Sequence, residues 1–149
     1  METKPRKLPI GIQTFDKIRE GNYVYVDKTE YLVNLIDSEV IYFYARPRRF
    51  GKSLTVSTLD AMFSGKKELF KGLYVEEFMN RPDYRPSPVI RLDMSKITTS
   101  EGIQGVKDSI GRLTLAQALI HKVEVERNIP CGEMLDQLVY NICEQNGNG

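Results

Sequence analysis

Gly51-Lys52-Ser53 is the one place in these 149 residues where residue types and spacing specify a chemistry. The segment leading to it runs from an apolar, β-branched and aromatic stretch, Val40-Ile41-Tyr42-Phe43-Tyr44-Ala45, through Arg46-Pro47-Arg48-Arg49-Phe50 into Gly-Lys-Ser-Leu54 and a helical pattern. Strand, tight turn and helix in that order are the context of a phosphate-binding P-loop, G-x-x-x-x-G-K-[ST]. Such a loop works because backbone N–H groups of the turn and of the helix N-terminus point at a phosphate. The lysine adds a point charge for the β- and γ-phosphates, and the serine hydroxyl takes a Mg²⁺ ion. Gly51, Lys52 and Ser53 supply these three parts.

The first glycine of the pattern would stand at position 46, and Arg46 is there instead. Pro47 stiffens the turn, while Arg46, Arg48 and Arg49 bring guanidinium groups suited to phosphate oxygens or to acidic neighbours. Two other uses of the segment are therefore open. One is a strand-to-helix turn solvated by its own Arg and Lys, in a non-catalytic interaction or regulatory module that binds no nucleotide. The other is an arginine patch for nucleic-acid phosphate. Aromatics to stack bases beside such a patch are missing except Phe50 and Tyr44.

The rest of the chain must position this loop, and its composition is that of an ordinary globular protein: 41% apolar, 28% charged, with 21 Lys and Arg against 20 Asp and Glu. Bulk charge gives no argument for a nucleic-acid or membrane partner, so an electrostatic site must be local. Cys131 and Cys143 with a single histidine make neither a zinc set nor a disulfide framework. No leader-like apolar region follows the charged N-terminus and no run approaches eighteen apolar residues, so a cytoplasmic location and no membrane partner are expected.

Residues 1–8 read as a flexible lead-in, 9–146 as folded, and 147–149 as a loop. Helices are expected over 14–20 with Phe15 and Ile18 inward, and over 28–37 with Tyr31, Leu32, Leu35 and Ile36 as a core-facing stripe. A helix over 52–63 carries Leu54, Leu59, Met62 and Phe63, and a helical turn follows over 67–70. A long helix over 103–128 has Gly111 as its weak point, and a last helix spans 132–146. Tyr23–Val26 is a short β-prone run. Val40–Ala45, apolar at every position, reads as a strand covered on both faces, and Val89–Met94 as a second strand. Three prolines between residues 82 and 88 exclude a helix there. Two strands cannot cover this many amphipathic helices, so the pattern is that of an incomplete α/β domain.

Outside the loop, Asp27 or Thr29 can cap the helix that follows. Ile12, Phe15 and Tyr25 are core residues or the wall of an adenine pocket. Asp93, near the end of the second strand, is either a carboxylate for a Mg²⁺-bound water or for Arg46, or a turn cap. His121 and the two cysteines lack the partners that reactive groups need.

Three stretches together, Tyr25-Val26-Asp27-Lys28-Thr29, Phe43-Tyr44-Ala45-Arg46-Pro47-Arg48-Arg49-Phe50-Gly51-Lys52-Ser53-Leu54 and Leu92-Asp93-Met94-Ser95, resemble the AAA-ATPase-like family of bacterial and archaeal proteins. The resemblance covers about residues 8–146, and arginine at the first loop position is that family's own form of the motif. It implies an α/β fold, a P-loop NTPase-like parallel sheet with flanking helices, here incomplete because the chain stops before the Walker B strand and its acidic pair. It implies ATP and Mg²⁺ as cofactors, with Arg46, Arg48, Arg49, Phe50, Gly51, Lys52, Ser53 and Leu54 forming the nucleotide site and Ser53 on the metal. It also places Asp27-Lys28-Thr29 near the base or ribose. The intact protein would be an ATPase or nucleotide switch linked to a restriction-endonuclease-like nuclease domain. The partners it implies are nucleotide and, through the downstream domain, nucleic acid; whether copies assemble into an oligomer is left open. Without Walker B, hydrolysis by this chain alone is in doubt.

Overall fold

The computed structural model describes residues 5–37, 41–45, 47 and 50–147, and it is helical. Among the described residues six α-helices follow one another: α1 (Phe15–Glu20), α2 (Thr29–Ile36), α3 (Lys52–Phe63), α4 (Val75–Met79), α5 (Gly102–His121) and α6 (Cys131–Gln145). Short 3-10 turns occupy Lys67–Phe70 and Met94–Lys96. The chain forms two compact units, Met1–Val89 and Ile90–Gly149.

No described residue belongs to a β-strand, which overturns the expected α/β class and its P-loop NTPase-like parallel sheet. A strand exists only where a neighbour completes its hydrogen-bond ladder, and apolar composition cannot supply the neighbour. Of the expected first strand, the described part Ile41–Ala45 is open to solvent instead of covered on both faces, with Ile41 101% and Phe43 96% exposed. In the second, Arg91 gives its N–H to the side-chain oxygen of Gln117 on α5, 3.1 Å away, where a sheet would offer a backbone carbonyl. The two segments fall largely in different units.

The first unit is built on aromatic packing. Phe15 (α1) stacks on Phe70 with centroids 4.6 Å apart and meets Tyr25 edge-on at 5.2 Å. Leu32 and Val33 of α2, Ala61 and Met62 of α3, and Val75 and Met79 of α4 close the core around them. Leu35 and Ile36 pack at its margin, whereas Tyr31, expected inward, is exposed. Phe15 is thus core, Tyr25 packs against it while only partly buried, and Ile12 is half-buried. Side chains then close helix ends from a distance. Ser57 Oγ accepts the Phe15 N–H at 2.9 Å, and Arg19 donates from Nε to the Leu69 carbonyl at 2.6 Å and from Nη2 to that of Lys71 at 2.7 Å. Tyr84 donates its hydroxyl to the Met62 carbonyl, anchoring the proline-rich stretch, and Lys66 pairs with Asp16.

The second unit packs α5 on α6. The face that α5 buries is Gly105, Ser109, Gly111, Thr114 and Ala118, small residues that let the helices approach closely, while Ile103, Leu119 and Ile120 stand exposed. Ser109 and Thr114 satisfy their buried hydroxyls on carbonyls one turn back, Gly105 at 2.7 Å and Ile110 at 3.0 Å. Helix α5 stops at His121, earlier than its periodicity suggests. Lys122 takes a left-handed conformation (φ 57°), and Val123 donates back to the Ala118 carbonyl at 3.0 Å, a Schellman-type closure.

Candidate functional site

Gly51 carries the geometry of the loop. At φ 76° it sits in the left-handed region, where a Cβ is strained, and beyond its chain neighbours no atom of the described residues lies within 4 Å of where a Cβ would be. The need for glycine is thus conformational rather than steric. Gly51 is the residue before α3, and the first backbone N–H of that helix to find an intrahelical carbonyl is that of Thr55, which reaches the Gly51 oxygen at 2.8 Å. No described side chain caps this end. The N–H groups of Lys52, Ser53 and Leu54 are therefore those a helix leaves unsatisfied at its N-terminus, where its dipole favours an anion.

Lys52 and Ser53 stand exposed on this first turn, and neither side chain is engaged by another described residue. Phe50 is also exposed. Leu54 behaves differently: it packs against the core, and its carbonyl accepts from Ser57 Oγ (3.0 Å) and Thr58 Oγ1 (2.8 Å). It holds the helix in place while its two predecessors face solvent. Arg46, Arg48 and Arg49 lie outside the described residues. Thr55, which the motif does not single out, binds the Gly51 carbonyl through Oγ1 at 3.1 Å and lies 3.4 Å from the Tyr44 hydroxyl. Its position one helical turn after Gly51 was the only sequence signal for it.

Asp27-Lys28-Thr29 serves as a brace between helices. Asp27 Oδ1 accepts from Thr29 N–H (2.9 Å) and Thr29 Oγ1 (2.7 Å), and Oδ2 from Tyr74 N–H (2.7 Å) at the head of α4. Thr29, 0% exposed, accepts the next N–H, that of Val75, at 3.1 Å. Burial alone would raise the Asp27 carboxyl, but the N–H groups of Thr29 and Tyr74, the Thr29 hydroxyl and Arg19 outweigh it and hold the group below the usual carboxylate range. The expected helix-cap role is met, and its reach to α4, 47 residues away, had no sequence signal.

Asp93 caps the 3-10 turn Met94–Lys96, accepting from Ser95 Oγ at 2.6 Å and Ser95 N–H at 3.1 Å. The Ser95 hydroxyl, then its N–H, lower the carboxyl from its ordinary value. Cys131 and Cys143 are free and half-buried on α6. Among the described residues no group of His, Cys, Asp and Glu could hold a metal ion, and no helix is long and apolar enough to cross a membrane.

The turn thus combines a left-handed glycine, an exposed Lys-Ser pair and a helix N-terminus that no described side chain caps. The model of the AAA-ATPase-like family, described as predicted AAA-ATPase, matches residues 9–149, and this chain belongs to that family. It is also 54% identical over 89 residues to a protein of Azotobacter chroococcum mcd 1 described as an uncharacterized protein in the vnfD 5' region. That match takes in 58% of this chain and 17% of the relative's length. No solved structure matches the chain.

Proposed function

We propose that the turn from Arg46 to Leu54 binds the phosphates of ATP. Lys52 contacts the β- and γ-phosphates, the N–H groups opening α3 cradle them, Arg46, Arg48 and Arg49 add guanidinium donors, and Ser53 takes the Mg²⁺ ion that shields the phosphate charge. The observation that carries this is the N-terminus of α3, set by left-handed Gly51 and capped by no described side chain, with Lys52 and Ser53 both exposed and engaged by no described residue. The donor set fits the group: a cation, a hydroxyl and unsatisfied N–H groups on one helical turn. Membership in the predicted AAA-ATPase family points the same way. In the whole protein the turn would serve an ATPase or nucleotide switch beside a nuclease-like domain.

Thermal melting with and without Mg-ATP tests this. At a hundredfold excess over the dissociation constant the ligand should add about 2.7 kcal/mol, several degrees for a chain of this size. The shift should vanish in Lys52→Ala and fall sharply when Mg²⁺ is withheld. No shift in the unaltered chain sinks the proposal, and a shift that survives Lys52→Ala removes that lysine from the site.

A further inference from the structure

Residues 123–126, Val-Glu-Val-Glu, alternate half-buried and exposed along the chain, the signature of an extended segment with one face inward. The inward residues Val123 and Val125 pack against Leu138, Ile142 and Ala118. One backbone edge of the segment is already occupied by side-chain amides of α6. Asn141 Nδ2 donates to the Glu124 carbonyl at 2.7 Å, and the Glu126 N–H donates to Gln137 Oε1 at 3.0 Å. Gln137 and Asn141 are one turn apart on α6, so a single face of the helix reaches both groups. Helix α6 therefore imitates a neighbouring strand.

In an extended chain the backbone groups of successive residues point to opposite edges, so those of Val125 belong to the other side. Val125 makes no hydrogen bond to any described residue although it is half-buried. A groove of about 710 Å³ runs along the segment, lined by residues 123–127, by Leu115, Ala118 and Leu119 of α5, and by Gln137 and Asn141, the α6 residues that bond its occupied edge. Glu124 and Glu126 both line it, and neither is in an ion pair with a described residue.

We infer that the open edge at Val125 accepts an extended peptide strand from a partner protein, with apolar residues toward Val123 and Val125 and lysine or arginine beside Glu124 and Glu126. The charges select against a second copy of this chain. Antiparallel pairing of the segment with itself about Val125 would set Glu124 opposite the other copy's Glu126 twice, and like charges directly across a ladder repel. A basic strand turns the same two positions into attractions.

The probe is a fluorescent six-residue peptide of alternating lysine and valine, titrated into the 149-residue chain and followed by polarisation, with amide hydrogen exchange locating it. Saturable binding with new protection over residues 123–127 is expected, and a matched glutamate–valine peptide should not bind. Val125→Pro removes the open-edge N–H and none of the bonds to α6, and should weaken binding about tenfold, the loss of roughly one ladder bond. Should that variant melt, Glu124→Lys with Glu126→Lys, both at exposed positions, decides instead: preference should switch to the glutamate–valine peptide. The inference is overturned by no binding, by equal binding of both peptides, by protection elsewhere, by unchanged affinity in a folded Val125→Pro, or by dimerisation of the free chain through this segment.

Discussion

The two units solve helix stability in different ways. In the first, α1, α2 and α4 have 6, 8 and 5 residues, too short to persist alone, because nucleation costs more than so few turns return. The heads of α1 and α4 are closed by side chains distant in sequence: Ser57 for α1, and Asp27 with Thr29 for α4. In the second, α5 and α6 run 20 and 15 residues and satisfy most of their own backbone. Their polar side chains are free for other work, so Gln117, Gln137 and Asn141 hold the connecting segments instead. Short helices draw long-range hydrogen bonds to their termini, and long helices send them out to loops.

The largest test of this contrast is in the cores. Phe15→Ala removes a fully buried ring at the centre of the first unit and should cost about 3–5 kcal/mol, against about 2–5 for Leu138→Ala in the second. Urea denaturation gives the totals, and hydrogen exchange should show each loss concentrated in its own unit. Equal loosening of both units by either variant would break the comparison.

Next in size is the brace. Asp27→Ala removes the acceptor for the N–H groups of Thr29 and Tyr74 and should cost about 1–2 kcal/mol, the range for a lost helix cap. Because the folded carboxyl lies below its ordinary value, its contribution is complete above the unfolded value near about 3.9 and disappears as pH falls through the lower folded value. The gap in urea midpoint between the unaltered chain and Asp27→Ala should therefore be constant from pH 7 to 5 and close below about pH 4. A gap that persists in stronger acid would mean that the ionised carboxylate is not what holds α4.

The smallest effect has the opposite sign. Gly111 lies inside α5, and a Cβ there would meet Met134 Sδ at 3.4 Å, an ordinary contact. Gly111→Ala should stabilise the second unit by about 0.5–1 kcal/mol through helix propensity. Destabilisation in thermal melts would show that Met134 cannot yield and that the helices are packed more tightly than the long-helix account requires.

Local patterns were legible where local physics suffices. The extents of α3 and α6, the turn at Lys67–Phe70 and the absence of a helix through the prolines all follow from periodicity and breakers. Helix α4 escaped because five residues carry too little periodicity, and it exists through Asp27 and Thr29. The end of α5 was misjudged because Val123 and Val125 continue its apolar pattern while turning inward from an extended segment. Its buried face was missed because small residues carry no hydrophobic signal. The parallel sheet failed for a plainer reason: Ile41–Ala45 has strand composition without a strand beside it.

At the loop itself, the sequence determined the local geometry. Glycine, lysine and serine in a row set a left-handed turn followed by two side chains on the first turn of α3, because glycine takes φ 76° without strain. Tertiary structure decided which neighbours serve the loop and which serve the fold. It turned Leu54 into the core, bound Thr55 to the Gly51 carbonyl, and gave Asp27 to the head of α4. The reason is that a hydrogen-bonding side chain goes to whichever unsatisfied backbone group the packing brings near, and packing is set by residues tens of positions away.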